Sequence, residues 1–176
     1  MKVTYLAATS ADGFIAKEDG NVAWLEELNV APEETGLTEF FESIDGLVMG
    51  RKTYDFVFDH GSWPYGNKVT WVCTSTQIEP IAGANLKVVE GIDEVENGAL
   101  EEGVKHLWLV GGGQLASAML ERGMITHVSI SEFPIALGRG IPLFASHKLE
   151  DIVIQDRQEE QKNGFKQIRF AVDRTG

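Results

Sequence analysis

The stretch His106-Leu107-Trp108-Leu109-Val110-Gly111-Gly112-Gly113-Gln114-Leu115-Ala116 decides the class of fold. His106 to Val110 reads as a buried strand and Gln114 to Arg122 as a helix, so three glycines join strand to helix. Consecutive glycines lose much conformational entropy on ordering, so a run of three implies a backbone requirement. One reading is a turn whose main chain passes close against a ligand. The other is a tight strand-to-helix turn with no ligand.

Outward from this unit the alternation continues. Toward the N-terminus lie strand signals at Val3 to Thr9, Gly46 to Met49, Lys68 to Thr74 and Leu86 to Val89. Between them, helices are expected from Thr38, which suits an N-cap, from Arg51 to about Phe58, and from Ile92 to Glu102. Ser10 to Asn21 reads as a loop. Beyond the helix at 114–122, Thr126 to Ser131 is a strand. Leu149 to Gln155 and Phe165 to Val172 are alternating runs separated by Asn163-Gly164, a hairpin signal. The expectation is an α/β fold with three layers, α/β/α, and a mixed, mainly parallel sheet ending in an antiparallel hairpin. No Pro- or Ser-rich linker divides the chain, so residues 1–176 read as a single domain.

A second architecture competes. Gly111-Gly112-Gly113-Gln114-Leu115-Ala116 fits the G-x-G-x-x-A dinucleotide fingerprint, with Glu132 about 20 residues on. A Rossmann unit places that fingerprint on its first strand and then needs several more strand–helix units. Only 44 residues follow Glu132 in the chain of 176, and they read as a loop and a hairpin.

Composition bounds the function. Hydrophobic residues make up 43% and charged residues 24%, an ordinary globular balance. Asp and Glu outnumber Lys and Arg 27 to 15, a net charge of −12, which argues against a general nucleic-acid binder. The single cysteine, Cys73, excludes an intramolecular disulfide and reads as a core residue. His60, His106, His127 and His147 show no paired metal spacing, so no metal site is expected. The apolar stretch after Met1 is too short for a signal peptide, and no run of about 20 apolar residues occurs, so the expected compartment is the cytoplasm and no membrane is involved.

In an open α/β sheet, ligands sit at the carboxyl ends of strands. Three such ends carry suitable chemistry. Gly50-Arg51-Lys52-Thr53 opens a helix, where a basic pair opposes the helix dipole unless an anion sits there. Thr74-Ser75-Thr76-Gln77 is a cluster of hydroxyls and an amide, ordinary as a turn but also a lining for a phosphate. Val110-Gly111-Gly112-Gly113-Gln114-Leu115 is the third.

In this order and spacing, the segments resemble the dihydrofolate reductase-like superfamily, and more closely the reductase domain of bacterial riboflavin biosynthesis (the RibD C-terminal domain). Ser10-Ala11-Asp12-Gly13-Phe14-Ile15-Ala16 and Pro134-Ile135-Ala136-Leu137-Gly138-Arg139-Gly140-Ile141-Pro142-Leu143-Phe144 match that branch's loop after the first strand and its segment before the closing hairpin. The resemblance implies a reductase that binds NADPH across the strand ends and acts on a small pterin- or pyrimidine-like heterocycle. Arg51 with Ser75, Thr76 and Gln77 would hold the 2′-phosphate. Thr53 and the amides after Gly112 would hold the pyrophosphate, and Ala8 and Ile15 would flank the nicotinamide. Gly50, Lys52, Val110, Gly111, Gly113, Gln114 and Leu115 complete the implied cofactor set. The resemblance further implies a cis peptide between Gly111 and Gly112 and a homodimer.

One position departs from the superfamily. Dihydrofolate reductases carry a substrate-binding carboxylate in the helix before the glycine-arginine motif, where this chain has Leu37. Leucine can neither pair with an aminopyrimidine nor relay a proton, so dihydrofolate is not expected as the main substrate. The remaining acid is Asp12, read either as a catalytic proton donor or as a turn-former before Gly13. Trp24 and Trp63, in loop-like segments, are candidates for a substrate pocket. Two other functions compete with a reductase: a nucleotide-binding module of the same fold without turnover, and a purely structural protein. The last leaves Arg51 and the three glycines without a purpose.

Overall fold

The structure is a computed structural model and describes residues 1–174. Among the described residues ten strands occur: β1 (Lys2–Ser10), β2 (Phe14–Ala16), β3 (Gly46–Gly50), β4 (Val69–Cys73), β5 (Asn85–Val89), β6 (His106–Gly111), β7 (His127–Phe133), β8 (Ile141–Pro142), β9 (Ile154–Gln161) and β10 (Lys166–Val172). Five α-helices accompany them: α1 (Ala23–Glu27), α2 (Leu37–Ser43), α3 (Arg51–Asp59), α4 (Ile92–Glu101) and α5 (Gly113–Glu121). Eight strands form one sheet in the order β5-β4-β3-β6-β1-β7-β10-β9. The first six in that order run parallel, and β10 and β9 add on antiparallel.

Both faces of the parallel part are covered, which explains why β3 and β4 read as continuous apolar runs. On one face, Val3, Tyr5, Val48, Leu107 and Leu109 pack against Val95 and Ala99 of α4 and Ala116 and Met119 of α5. On the other, Leu47 and Trp108 meet Phe40 of α2, Met49 and Val72 meet Tyr54 of α3, and Phe133 and Phe165 meet Trp24 of α1. Helices therefore form both outer layers, as the strand–helix alternation requires.

The structure departs from the sequence reading at three places. Helix α2 starts at Leu37, with Gly36 as its N-cap in the left-handed conformation, so Thr38 lies inside the helix. The loop after β1 contains β2, which pairs with β8 in a separate two-stranded sheet. The alternating run at Leu149 begins as a 3-10 turn (Leu149–Asp151), and the outer hairpin strand is the polar stretch Ile154–Gln161. That strand lies at the sheet edge and is exposed almost throughout, so pairing rather than burial defines it, and hydrophobic alternation does not mark it.

The segment from Gly138 to Ala145 crosses over the start of α5. A Cβ at Gly140 would lie 2.2 Å from the Ala16 carbonyl oxygen, and one at Gly113 would lie 2.7 Å from that of Pro142. The Ala145 amide donates to the Gly113 carbonyl (3.1 Å), and the Tyr5 hydroxyl donates to that of Leu143 (2.9 Å).

Candidate functional site

The strand order makes neighbours of the three chemically promising strand ends. Gly50, the last residue of β3, pairs with Cys73 of β4 on one side, and Met49 pairs with Gly111 of β6 on the other. Strand β1 lies beyond β6, so Ala8 and Ser10 end on the same edge of the sheet. Sequence proximity plays no part here: the three segments are contributed by residues 50–53, 74–77 and 110–115.

At the first end, Gly50 caps α3 in an extended conformation, and no side chain caps the helix amides. The Arg51 guanidinium donates from Nη1 to the Thr76 hydroxyl (2.5 Å) and the Gln77 carbonyl (3.0 Å), and from Nε to Asp55 Oδ1 (2.8 Å). Guanidinium carries five N–H donors; these bonds use three and leave the two on Nη2. Thr74 accepts from the Thr76 amide (3.2 Å) and sits 3.1 Å from the Thr76 hydroxyl, which shapes the turn that meets Arg51. Ser75, Thr76 and Gln77 are exposed on this rim, as is Lys52.

At the second end, the Gly111–Gly112 peptide is cis, as the resemblance implied. Gly111 has φ +147, which side chains other than glycine's rarely adopt. The Thr53 hydroxyl faces this turn, 3.6 Å from where a Cβ of Gly111 would stand. Gly112 caps α5, again with no side chain on the helix amides. Val110 is half-buried between the α2 and α3 clusters, Gln114 is exposed, and Leu115 packs on the main core. Two helix starts with free amides thus face the same edge, and each is a natural anion site.

The third side of the site comes from β1 and β2. Ala8, half-buried, packs with Trp24 and Phe133, and Ile15 packs on the main core. Asp12 does not stand free beside them. Its carboxylate accepts from the Ser10 hydroxyl (2.5 Å) and from the Gly138 (2.8 Å) and Leu137 (3.1 Å) amides. The Ser10 hydroxyl, above all, holds the Asp12 carboxyl below the usual aspartate range; slight desolvation opposes it, and the Gly138 and Leu137 amides add to the lowering. A carboxylate held ionised by three donors is a poor proton donor. Of the two readings of Asp12, proton donor and turn-former, these bonds fit the second, with the carboxylate latching the loop after β1 to the segment before the hairpin.

Other residues singled out in the sequence fall as follows. Trp24 is 2% exposed and belongs to the core under α1. Trp63 packs edge-on against Tyr65. Cys73 is half-buried, and burial pushes its thiol up to about 11, so it is not a reactive thiolate. Leu37 is half-buried and packs against the apolar cluster of Ile44, Leu47 and Trp108. The sequence reading passed over Asp55, although its i, i+4 spacing from Arg51 is a visible ion-pair signal.

Comparison with known proteins follows the same lines. The family model of the RibD C-terminal domain matches residues 58–163. The chain belongs to the RibD C-terminal domain family. Two uncharacterized proteins of Bacillus subtilis strain 168 resemble it: YwjB is 32% identical over 81% of this chain and 82% of its own, and YyaP is 29% identical over 80% and 79%. Among solved structures, a protein from Shewanella sp. PV-4 provisionally assigned to riboflavin biosynthesis is 30% identical, covering 98% of this chain and 99% of its own, with a TM-score of 0.81. The Thermotoga maritima deaminase and 5-amino-6-(5-phosphoribosylamino)uracil reductase is 13% identical and covers 98% of this chain and 56% of its own. Its TM-score of 0.74 shows the shared fold alone.

Proposed function

We propose that this chain is an NADPH-dependent reductase of a small planar heterocycle of the pterin or pyrimidine kind. The observation that carries the reading is the meeting of two uncapped helix starts and a rim arginine on adjacent strand ends. The donor set fits a dinucleotide with an extra phosphate. Arg51, through its two uncommitted N–H groups and with the Thr76 hydroxyl beside it, takes the 2′-phosphate. The amides opening α5 and the Thr53 hydroxyl take the pyrophosphate. Ala8 and Ile15 flank the nicotinamide, and Asp12 holds the loop that carries Ile15 in place. The bound cofactor supplies the hydride, while the protein orients it and excludes water.

The pyrimidine side of the reading draws on the family and on the reductases that share the fold. Leu37, built into an apolar cluster, supports a substrate other than dihydrofolate. A second reading, a nucleotide-binding module without turnover, is favoured by the same leucine and by the engagement of Asp12, since neither supplies a proton. NADPH oxidation in the presence of candidate heterocycles separates the two.

The test of the cofactor site is a pair of binding titrations. NADPH should bind more tightly than NADH, and Arg51→Ala should remove most of the difference, about 1.5–3 kcal/mol for a charge-assisted hydrogen bond. Equal affinities in the unmutated protein overturn the reading.

A further inference from the structure

Between α2, which packs on Leu47 and Trp108, and the β9–β10 hairpin, one face of the sheet carries a groove of about 730 Å³. One wall is the 3-10 turn Pro32–Thr35 with the start of α2. The strands β1, β7, β10 and β9 form the floor and the opposite side. The floor is polar, with Thr4, Ser129 and Gln167 buried in it.

The charges along this groove are sorted by sign. Glu33 and Glu39 stand on the α2 wall, and Lys2 and Arg169 stand on the strands. Asp156, on the edge strand β9, is the one unpaired acid on the strand side. All five side chains belong to exposed residues, and among the described residues none of them takes part in a salt bridge. Two other charges of the walls are already engaged: Glu34 accepts from the Ala31 amide (3.0 Å), and Lys162 pairs with Glu160 (2.9 Å).

A single exposed charge without a partner is ordinary. Acids on one wall and cations on the facing strands are what a two-fold contact needs, because an isologous interface presents the same patch twice. A two-fold axis running along the groove sets the α2 wall of each copy over the strands of the other, so cation meets acid at both ends of the contact. A polyanion fits poorly, since the acids of the wall and the net charge of −12 repel it. That net charge also repels a second copy at long range, so contact between copies requires exposed cations to set against acids, and Lys2 and Arg169 supply them. The extent suits the same occupant: 21 residues line the groove, close to the roughly 20–30 that one partner brings to an interface of standard size.

We propose that a second copy of this chain docks on this groove, with Lys2 and Arg169 of each copy paired against Glu33 and Glu39 of the other. The proposal is independent of the reductase reading, because no part of the contact touches the strand ends given to the cofactor.

The experiment is analytical ultracentrifugation of the full chain and of two charge-reversed variants. The parent should sediment as a dimer. Lys2→Glu/Arg169→Glu and Glu33→Lys/Glu39→Lys should each set like charges against one another and raise the dimer dissociation constant at least about tenfold. An equimolar mixture of the two variants should return to the parent's affinity, since both halves of the contact again hold opposite charges. Melting transitions of the variants are compared with the parent's. The neutral pair Lys2→Gln/Arg169→Gln repeats the measurement without introducing like charges and should weaken the dimer in the same direction. A parent that stays monomeric up to about 100 μM, well above the micromolar constants of the weakest standard-size interfaces, overturns the proposal. So does a dimer that ignores these substitutions, or a mixture of the reversed variants that dimerises no better than either alone.

Discussion

Helices α3 and α5 both begin at a glycine on the edge that carries the candidate site, yet their glycines answer to different constraints. At the start of α5, a Cβ on Gly113 would press into the Pro142 carbonyl oxygen at 2.7 Å, so the fold itself requires glycine. At the start of α3, a Cβ on Gly50 would meet nothing closer than 3.8 Å, and its φ of −80 suits any residue. Nothing within the chain demands glycine at position 50. The demand is met if a ligand passes close to the backbone there. At the start of α5 the protein's own crossover segment packs on the Cα side of Gly113 and leaves the helix amides uncapped; at the start of α3 no segment packs there, and Arg51 is held at the rim by Thr76, Gln77 and Asp55.

This contrast can be broken by substitution. Gly113→Ala should give the largest effect, a loss of about 1–3 kcal/mol of stability from overpacking against backbone that has no room to shift. Chemical denaturation of the variant measures it; an unchanged midpoint would mean the crossover segment can move aside. Gly50→Ala should reverse the pattern. Its folding stability should fall by about 1 kcal/mol or less, the usual size of an N-cap change, while NADPH affinity drops roughly tenfold. If the alanine variant binds NADPH as the parent does, no ligand passes close to Gly50 and the contrast loses its functional half.

Asp12 sharpens the same comparison, because its latch holds the crossover segment that packs at the start of α5. Its folded carboxyl titrates below the usual range near pH 4, so the latch contributes fully above that range and is lost as pH falls through the folded value. Stability of the parent should therefore decline in that acid window more steeply than that of Asp12→Asn, which is weaker at neutral pH and flatter in acid. Parallel stability curves would show that the latch carries no net energy. The smallest expected effect is at Asp55→Ala. An exposed i, i+4 pair is worth about 0.3–0.5 kcal/mol, so stability should barely change while Arg51 becomes freer to turn toward an anion.

The candidate site was legible to different depths. The Gly50-Arg51, Thr74–Gln77 and Gly111–Gly113 segments stand out because turn chemistry is local: glycine runs, hydroxyl clusters and a basic pair at a helix start are each visible within a few residues. Asp12 was visible as a residue but its role was not. Its partners, Leu137 and Gly138, lie 125 and 126 residues away, and only their amides turn it from an acid into a latch.

The alternation of the main strands and helices, the presence of a closing hairpin and the chemistry of each strand end were determined by the sequence alone, because periodicity and turn preferences act over a few residues. Tertiary structure decided which of those ends meet. The sheet order β4-β3-β6-β1 skips through the chain, and it is set by how the apolar faces of distant strands and helices pack, which no local pattern encodes. The same packing brought the crossover segment over Gly113. Contacts between residues more than 100 apart depend on the whole core being assembled, and that is where this protein's site acquires its shape.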